Sequence, residues 1–132
     1  MATIFTTTGS ILNGSETGVR AQFVRLLIIN ENLTNAASFD LRVFSIADNS
    51  VNTPKTPLAH QVFAVAANSA TNITVPISAF PIYEVQLGIT TATAAIDVTV
   101  TTVGVDVIGK IVDSQQYLNT ELTQIPALTP VP

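Results

Sequence analysis

Tyr83-Glu84-Val85-Gln86-Leu87-Gly88-Ile89 decides the fold, because Tyr83, Val85, Leu87 and Ile89 alternate with Glu84, Gln86 and Gly88. A period of two belongs to a strand with one face in a core and the other turned outward. The pattern recurs on both sides. Upstream, Phe39, Leu41 and Val43 alternate with Asp40 and Arg42, and the run becomes two-faced at Phe44; downstream, Ile96, Val98 and Val100 alternate with Asp97, Thr99 and Thr101. Further strands are expected at about 18–30, 60–66, 71–75 and, after Gly104, across Val105 to Val112, broken by Gly109. From Phe23 to Ile29 every residue but Arg25 is apolar, which marks a strand covered on both sides, by a second sheet or by another subunit.

Turn formers separate these runs. Asn30-Glu31-Asn32 closes the first, Asn49, Asn52, Pro54 and Pro57 crowd the loop from Asp48 to Leu58, Ala67-Asn68-Ser69-Ala70 reads as a hairpin-like connection, and Pro76 and Pro81 bracket a crossing segment. About seven strands at such spacing predict an all-β fold, an antiparallel β-sandwich of the jelly-roll or immunoglobulin-like kind. Composition agrees, since 19 Thr, 15 Val and 13 Ile in 132 residues are side chains suited to a pleated surface.

The flanks read differently. Residues 1–16 mix Thr, Gly, Ser and Asn with the apolar pairs Ile4-Phe5 and Ile11-Leu12, the composition of a tether with anchors, and are expected to form a connector arm that docks into a neighbouring subunit. Folding back as the first strand of its own sandwich is the competing reading, because Ala2, Ile4 and Thr6 alternate. The sandwich then spans 17–112 and a tail 113–132. Ser114 to Leu118 carries a weak signal for one helical turn. Beyond it Leu122, Ile125, Leu128 and Val131 recur every third residue among Pro126, Pro130 and Pro132, so the tail is expected to lie extended on an apolar groove with that edge facing protein.

Charged residues make up 11% of the chain, against about 25% in typical soluble domains. A chain so poor in charge is expected to hide much of its outside against neighbours. The net charge of −4 is thinly spread with no basic stripe, which argues against nucleic acid as a partner. There is no cysteine, and hence no disulfide or thiolate metal site. The N-terminal residues lack the pattern of a signal peptide, and the longest apolar run, Val62 to Ala67, is too short to cross a bilayer.

Candidate chemistry is sparse. His60 is the only histidine and reads as a buried or rim residue, not a metal ligand. Asp40, Glu84 and Asp97 stand at outward strand positions, where solvated charges belong, and no nucleophile elbow, phosphate loop or calcium loop occurs. Neither catalytic residues nor metal or cofactor sites are expected, and the chain reads as no enzyme. Asn13-Gly14-Ser15, Asn32-Leu33-Thr34 and Asn72-Ile73-Thr74 match the glycosylation acceptor pattern, which a chain rich in Asn and Thr also makes by chance.

The cadence from Leu26 to Ile89, with Asn30 to Asn35, Phe39 to Ile46, Val65-Ala66-Ala67-Asn68-Ser69, Asn72-Ile73-Thr74-Val75-Pro76 and Tyr83-Glu84-Val85, resembles small exosporium-associated β-sandwich proteins of spore-forming bacilli. It is most similar to subunits of the fine, cysteine-free F-type endospore appendage fibres. The resemblance implies non-covalent, head-to-tail stacking of ring-like, trimeric units through N-terminal connectors. It further implies a location on the spore surface or exosporium, and anchor and tip proteins as additional partners. Ile4, Phe5, Ile11 and Leu12 are then the inter-subunit connector residues, and Leu122, Ile125, Leu128 and Val131 the tail-docking residues. Two other classes stay open, a virion component such as a capsid decoration or tail protein, and a monomeric binding module.

Overall fold

In the computed structural model, residues 1–13, 20–46, 54–77, 81–118 and 121–131 are described, with 113 and 114 described by backbone alone. The alternating run around Leu87 forms β7 (Ile82–Thr91), the middle of one sheet. On one side it pairs with β4 (Ala37–Ile46), and β4 with the edge strand β5 (Thr56–Val65). On the other side it pairs with β1 (Ala2–Thr7) and the short β2 (Ile11–Leu12), and β1 carries β10 (Thr123–Ile125) at its far edge. This sheet A runs β10-β1-β7-β4-β5; sheet B runs β6-β3-β8-β9, from β3 (Phe23–Asn30), β6 (Ser69–Pro76), β8 (Val98–Val105) and β9 (Ile111–Leu118). Every pairing is antiparallel.

The chain changes sheet between β2 and β3, β3 and β4, β5 and β6, β6 and β7, β7 and β8, and β9 and β10. The resulting orders β1-β7-β4-β5 and β9-β8-β3-β6 make two antiparallel sheets packed face to face, the β-sandwich expected from the sequence. The core fills the space between the sheets. Val24, Leu26 and Ile28 from β3 and Val100 from β8 face Leu41 and Val43 from β4 and Tyr83, Val85 and Leu87 from β7. Phe39 stacks on Phe63 of the neighbouring strand at 5.2 Å between ring centroids. Asn30 closes one end: its side-chain nitrogen donates to Asn35 O, Val65 O and Ala66 O, tying β3 to the turn where β5 leaves its sheet.

Several expectations change. Residues 2–7 are not an arm standing apart; they pair along their whole length with β7, and Thr6 and Thr7 are buried. Their hydroxyls donate to Leu87 O and to the Glu84 carboxylate, so Thr is satisfied inside the sheet where the sequence suggested a tether. Residues 14–16 of that expected arm, the domain boundary at 17 and most of the loop from Asp48 lie outside the described residues. The connection at 67–70 is no hairpin, because β5 and β6 belong to different sheets, and Asn68 adopts a left-handed φ of 51° there. Val105 to Val112 is not one strand. β8 ends at Val105 and the chain turns at Asp106 to Gly109, where Asp106 Oδ1 accepts from Ile108 N and Lys110 N and Gly109 has a φ of +88°. The expected helical turn at 114–118 is instead part of β9.

Candidate functional site

The outer faces of the two sheets differ, and the difference defines where this protein can act. On sheet A the outward side chains of β7 are Glu84, Gln86 and Gly88, flanked by Asp40, Arg42 and Phe44 on β4 and by Phe5 and Thr7 on β1. Glu84 is not solvated as the sequence suggested, while Asp40 keeps about a third of its side chain exposed. After β10 the chain leaves the sheet edge and crosses this face, so Glu84 and Gln86 are buried beneath residues 128–129. Leu128 lies over Gly88 beside the Phe5 ring; a Cβ on Gly88 would stand 3.3 Å from Leu128 Cδ1 and 3.2 Å from Phe5 Cδ1.

Thr129 is held at every polar atom. Its backbone nitrogen donates to Gln86 Oε1 at 2.8 Å, its hydroxyl accepts from Gln86 Nε2 at 2.9 Å and Lys55 Nζ at 2.6 Å, and its carbonyl accepts from Arg42 Nη1 at 2.6 Å. Beneath it Glu84 binds Lys55 at 2.9 Å and accepts from Thr7 and Gln86. Burial alone would raise the Glu84 pKa, but the bonds from Lys55, Thr7 and Gln86 and the charge of Lys55 hold the carboxyl below its ordinary range. The ammonium also lies 5.0 Å from the Phe44 ring centroid. Arg42 binds Asp40 through both carboxylate oxygens at 3.1 Å, and His60 Nε2 is 2.9 Å from Asp40 Oδ1. Against the effect of burial, Arg42 and then His60 keep the Asp40 pKa low.

The expected tail residues fall on this strap. Leu122, Ile125, Leu128 and Val131 are each half-buried, while 123, 124, 126, 127 and 130 are exposed; Leu122 packs against the core. The strap begins as a strand, since Thr123–Ile125 pairs with β1, and it rests on a polar clamp as much as on apolar surface. The expected connector residues lie apart from one another. Ile4 packs on the core, Ile11 is buried within it, Phe5 faces outward under Leu128, and Leu12 is 65% exposed.

Sheet B has the opposite character. Leu27 and Ile29 point outward from β3 and are 42% and 41% exposed. The register sets Phe23 beside Val105, and Leu118 of β9 beside Thr101, so apolar side chains form a band across the sheet that Arg25, Thr99 and Thr101 interrupt. It extends to Ile111 and to Val107 and Ile108 on the β8–β9 turn, both about three-quarters exposed. A recess of about 280 Å³ sits at that end, lined by Phe23, Arg25, Thr74 and residues 105–109. Arg25 Nε, in the same recess, is buried with no hydrogen-bond partner.

Among the described residues no three His, Cys, Asp or Glu side chains gather as a metal group would require, and no helix is long and apolar enough to cross a membrane. Of the acceptor-pattern asparagines, Asn13 is buried: it exchanges two hydrogen bonds with Ala21 and accepts from Gln115 Nε2, whose own oxygen accepts from Tyr83 Oη at 2.6 Å. Burial first, and the neighbouring Tyr117 second, push the Tyr83 phenol pKa up.

No protein-family model and no curated protein matches this chain. Among solved structures, the crystallographic structure of the Clostridium thermocellum N-terminal endo-1,4-β-D-xylanase 10B, comprising CBM22-1 and GH10 modules complexed with xylohexaose, is similar over 75% of this chain at 20% identity, with a TM-score of 0.30. The match spans 24% of that protein, and at this level of likeness it contributes nothing to the assignment of function.

Proposed function

We propose that this protein is a non-enzymatic structural subunit that assembles with copies of itself through the outer face of sheet B. The observation that carries this reading is β3. Its outward side chains Leu27 and Ile29 are as apolar as its inward ones, yet among the described residues none is laid over them and they stand two-fifths exposed. A strand apolar on both faces is stable where both are covered, and large exposed apolar side chains grouped on one sheet face mark an association surface. A second copy suits the band because the whole chain is poor in charge, as a surface shared among many identical neighbours requires. The edge strand β5 supports the same reading: past Pro57 it runs from Leu58 to Val65 with no Lys, Glu, Asp or Arg to discourage pairing.

The resemblance to fine endospore appendage subunits extends the proposal to a fibre on the spore surface, built without disulfides and ending on anchor and tip proteins. A β-sandwich equally suits a virion component. Negative-stain microscopy and sedimentation velocity of the purified chain test the reading. Fibres growing with concentration support it, discrete closed shells or rings favour the virion component, and a monomer at every concentration overturns self-assembly.

A further inference from the structure

We propose that the outer face of sheet A is a peptide-binding groove, and that it takes residues 121–131 of a second copy in exchange for its own. The groove is built for one extended segment. Four hydrogen bonds converge on Thr129 from Arg42, Lys55 and Gln86, two of them to its backbone, while Gly88 leaves room for Leu128 and Phe5 stands against it. Gln86 also donates to Glu84, which Lys55 and Thr7 hold in turn, so these side chains keep partners within the sheet when a segment leaves. Such backbone-plus-side-chain capture of an extended chain is a general mode of peptide recognition.

The segment is also the part of the fold most readily released. It holds to its sheet by three residue pairs at the edge, Phe5 with Ile125, Thr6 with Gln124 and Thr7 with Thr123. Of its side chains, only Leu122 packs against the core cluster. A segment with few buried contacts and half its residues in solvent opens at a lower free energy than the sandwich beneath it. Exchange replaces each contact by an identical one from the neighbour, so proximity decides how often it happens. In that one respect the inference rests on the self-association reading, which brings copies together.

Complementing variants of the full chain test it, with Leu27→Asp in every chain to remove the sheet B face. A Gln86→Ala chain has a disabled groove and an intact segment; a Thr129→Ala chain has an intact groove and a weakened segment. Mixed, they should form a one-to-one complex that neither forms alone, read by sedimentation. A labelled synthetic peptide with the sequence of residues 121–131 should bind the Thr129→Ala chain saturably. It should bind at least about tenfold more weakly when its own Thr129 is replaced by Ala, because two side-chain bonds, one to a charged amine, are gone. Circular dichroism confirms that each variant is folded, and Thr129→Val replaces Thr129→Ala if the latter is not. Absence of a complex on mixing overturns the exchange, and equal peptide binding by the Gln86→Ala chain overturns the groove. Because Leu27→Asp is present throughout, either failure leaves the sheet B reading untouched.

Discussion

Gln86 grips Thr129 from two directions at once: its side-chain oxygen accepts from the Thr129 backbone nitrogen at 2.8 Å, and its side-chain nitrogen donates to the Thr129 hydroxyl at 2.9 Å. The two residues are 43 positions apart. Through this pair the C-terminal segment is tied to the central strand of sheet A, and the pair is shielded from water enough for each bond to matter.

Thr129→Val keeps the β-branched shape and removes only the hydroxyl, leaving Lys55 and Gln86 each short of a partner. The expected loss is about 1–2 kcal/mol of unfolding free energy, read by chemical denaturation. Thr123→Val, at an exposed position of the same segment, should change stability by no more than about 0.5 kcal/mol. Equal effects at the two positions would falsify the clamp.

Acid should loosen the strap. The folded-state pKa of Glu84 lies below its ordinary value of 4.5, so the unfolded chain binds the proton more readily. The stability contributed by Glu84 is therefore fully present above about pH 4.5 and is lost as pH falls through the lower folded value. Asp40 adds a smaller, solvent-screened contribution of the same sign. In thermal melts across this range the Glu84→Gln variant should start less stable at neutral pH and decline less on acidification. A variant that keeps the full acid dependence would assign it to other carboxylates.

Two glycines should respond differently to alanine. A Cβ at Gly104 would run into the Gln115 side-chain oxygen and stand 3.0 Å from Gln115 Cβ and 3.1 Å from Ala21 Cβ, displacing the buried Tyr83–Gln115–Asn13 chain of hydrogen bonds. Gly104→Ala is expected to destabilise by about 2–3 kcal/mol or to prevent folding. At Gly88 the atoms met are the Phe5 ring edge and the end of Leu128, which can shift by a few tenths of an ångström. Gly88→Ala should cost about 1 kcal/mol and mainly loosen the segment, seen as faster proteolysis beyond residue 121.

The interior strands were legible because apolar and polar side chains alternate along them: the alternation in β4 and β7 gave positions within a residue or two of those observed. β9 and β1, expected to hold a helical turn and to be a connector arm with a first strand as its rival, are held by polar partners distant in sequence. In β9, Gln115 is fully buried because Tyr83 and Asn13 satisfy its amide, and nothing near Gln115 announces that. In β1, Thr6 and Thr7 do the work of apolar residues by bonding to Leu87 and Glu84. Val107 and Ile108 suggested a continuing strand, although Asp106 and Gly109 around them carried the turn signal. The outer face of β7 was misread. β7 looked half-buried but has both sides covered, since residues 128–129 lie on Glu84 and Gln86; β3 was expected to be covered by a second sheet or by another subunit, and sheet A covers its inner face while Leu27 and Ile29 on its outer face stand two-fifths exposed.

That open side yields the prediction on which the proposed function turns. Leu27 and Ile29 lie on the outer face of β3, about two-fifths exposed, opposite Asn72 and Ala70 on one neighbouring strand and Thr101 and Thr99 on the other. Neither side chain reaches the core, so the double variant Leu27→Asp, Ile29→Asp should unfold within about 1 kcal/mol of the parent chain. Two carboxylates at the centre of an apolar contact would each lose hydration without gaining a partner, and assembly should be abolished. Leu33→Asp provides the control: Leu33 is 76% exposed in the β3–β4 connection, away from the band, and the change should leave assembly as it was. Microscopy and sedimentation at matched concentrations read the outcome. Loss of polymers in the double variant alone places the contact on sheet B, whereas polymers of unchanged length and yield from the double variant would remove this face from the assembly and leave β5 as the surface to test next.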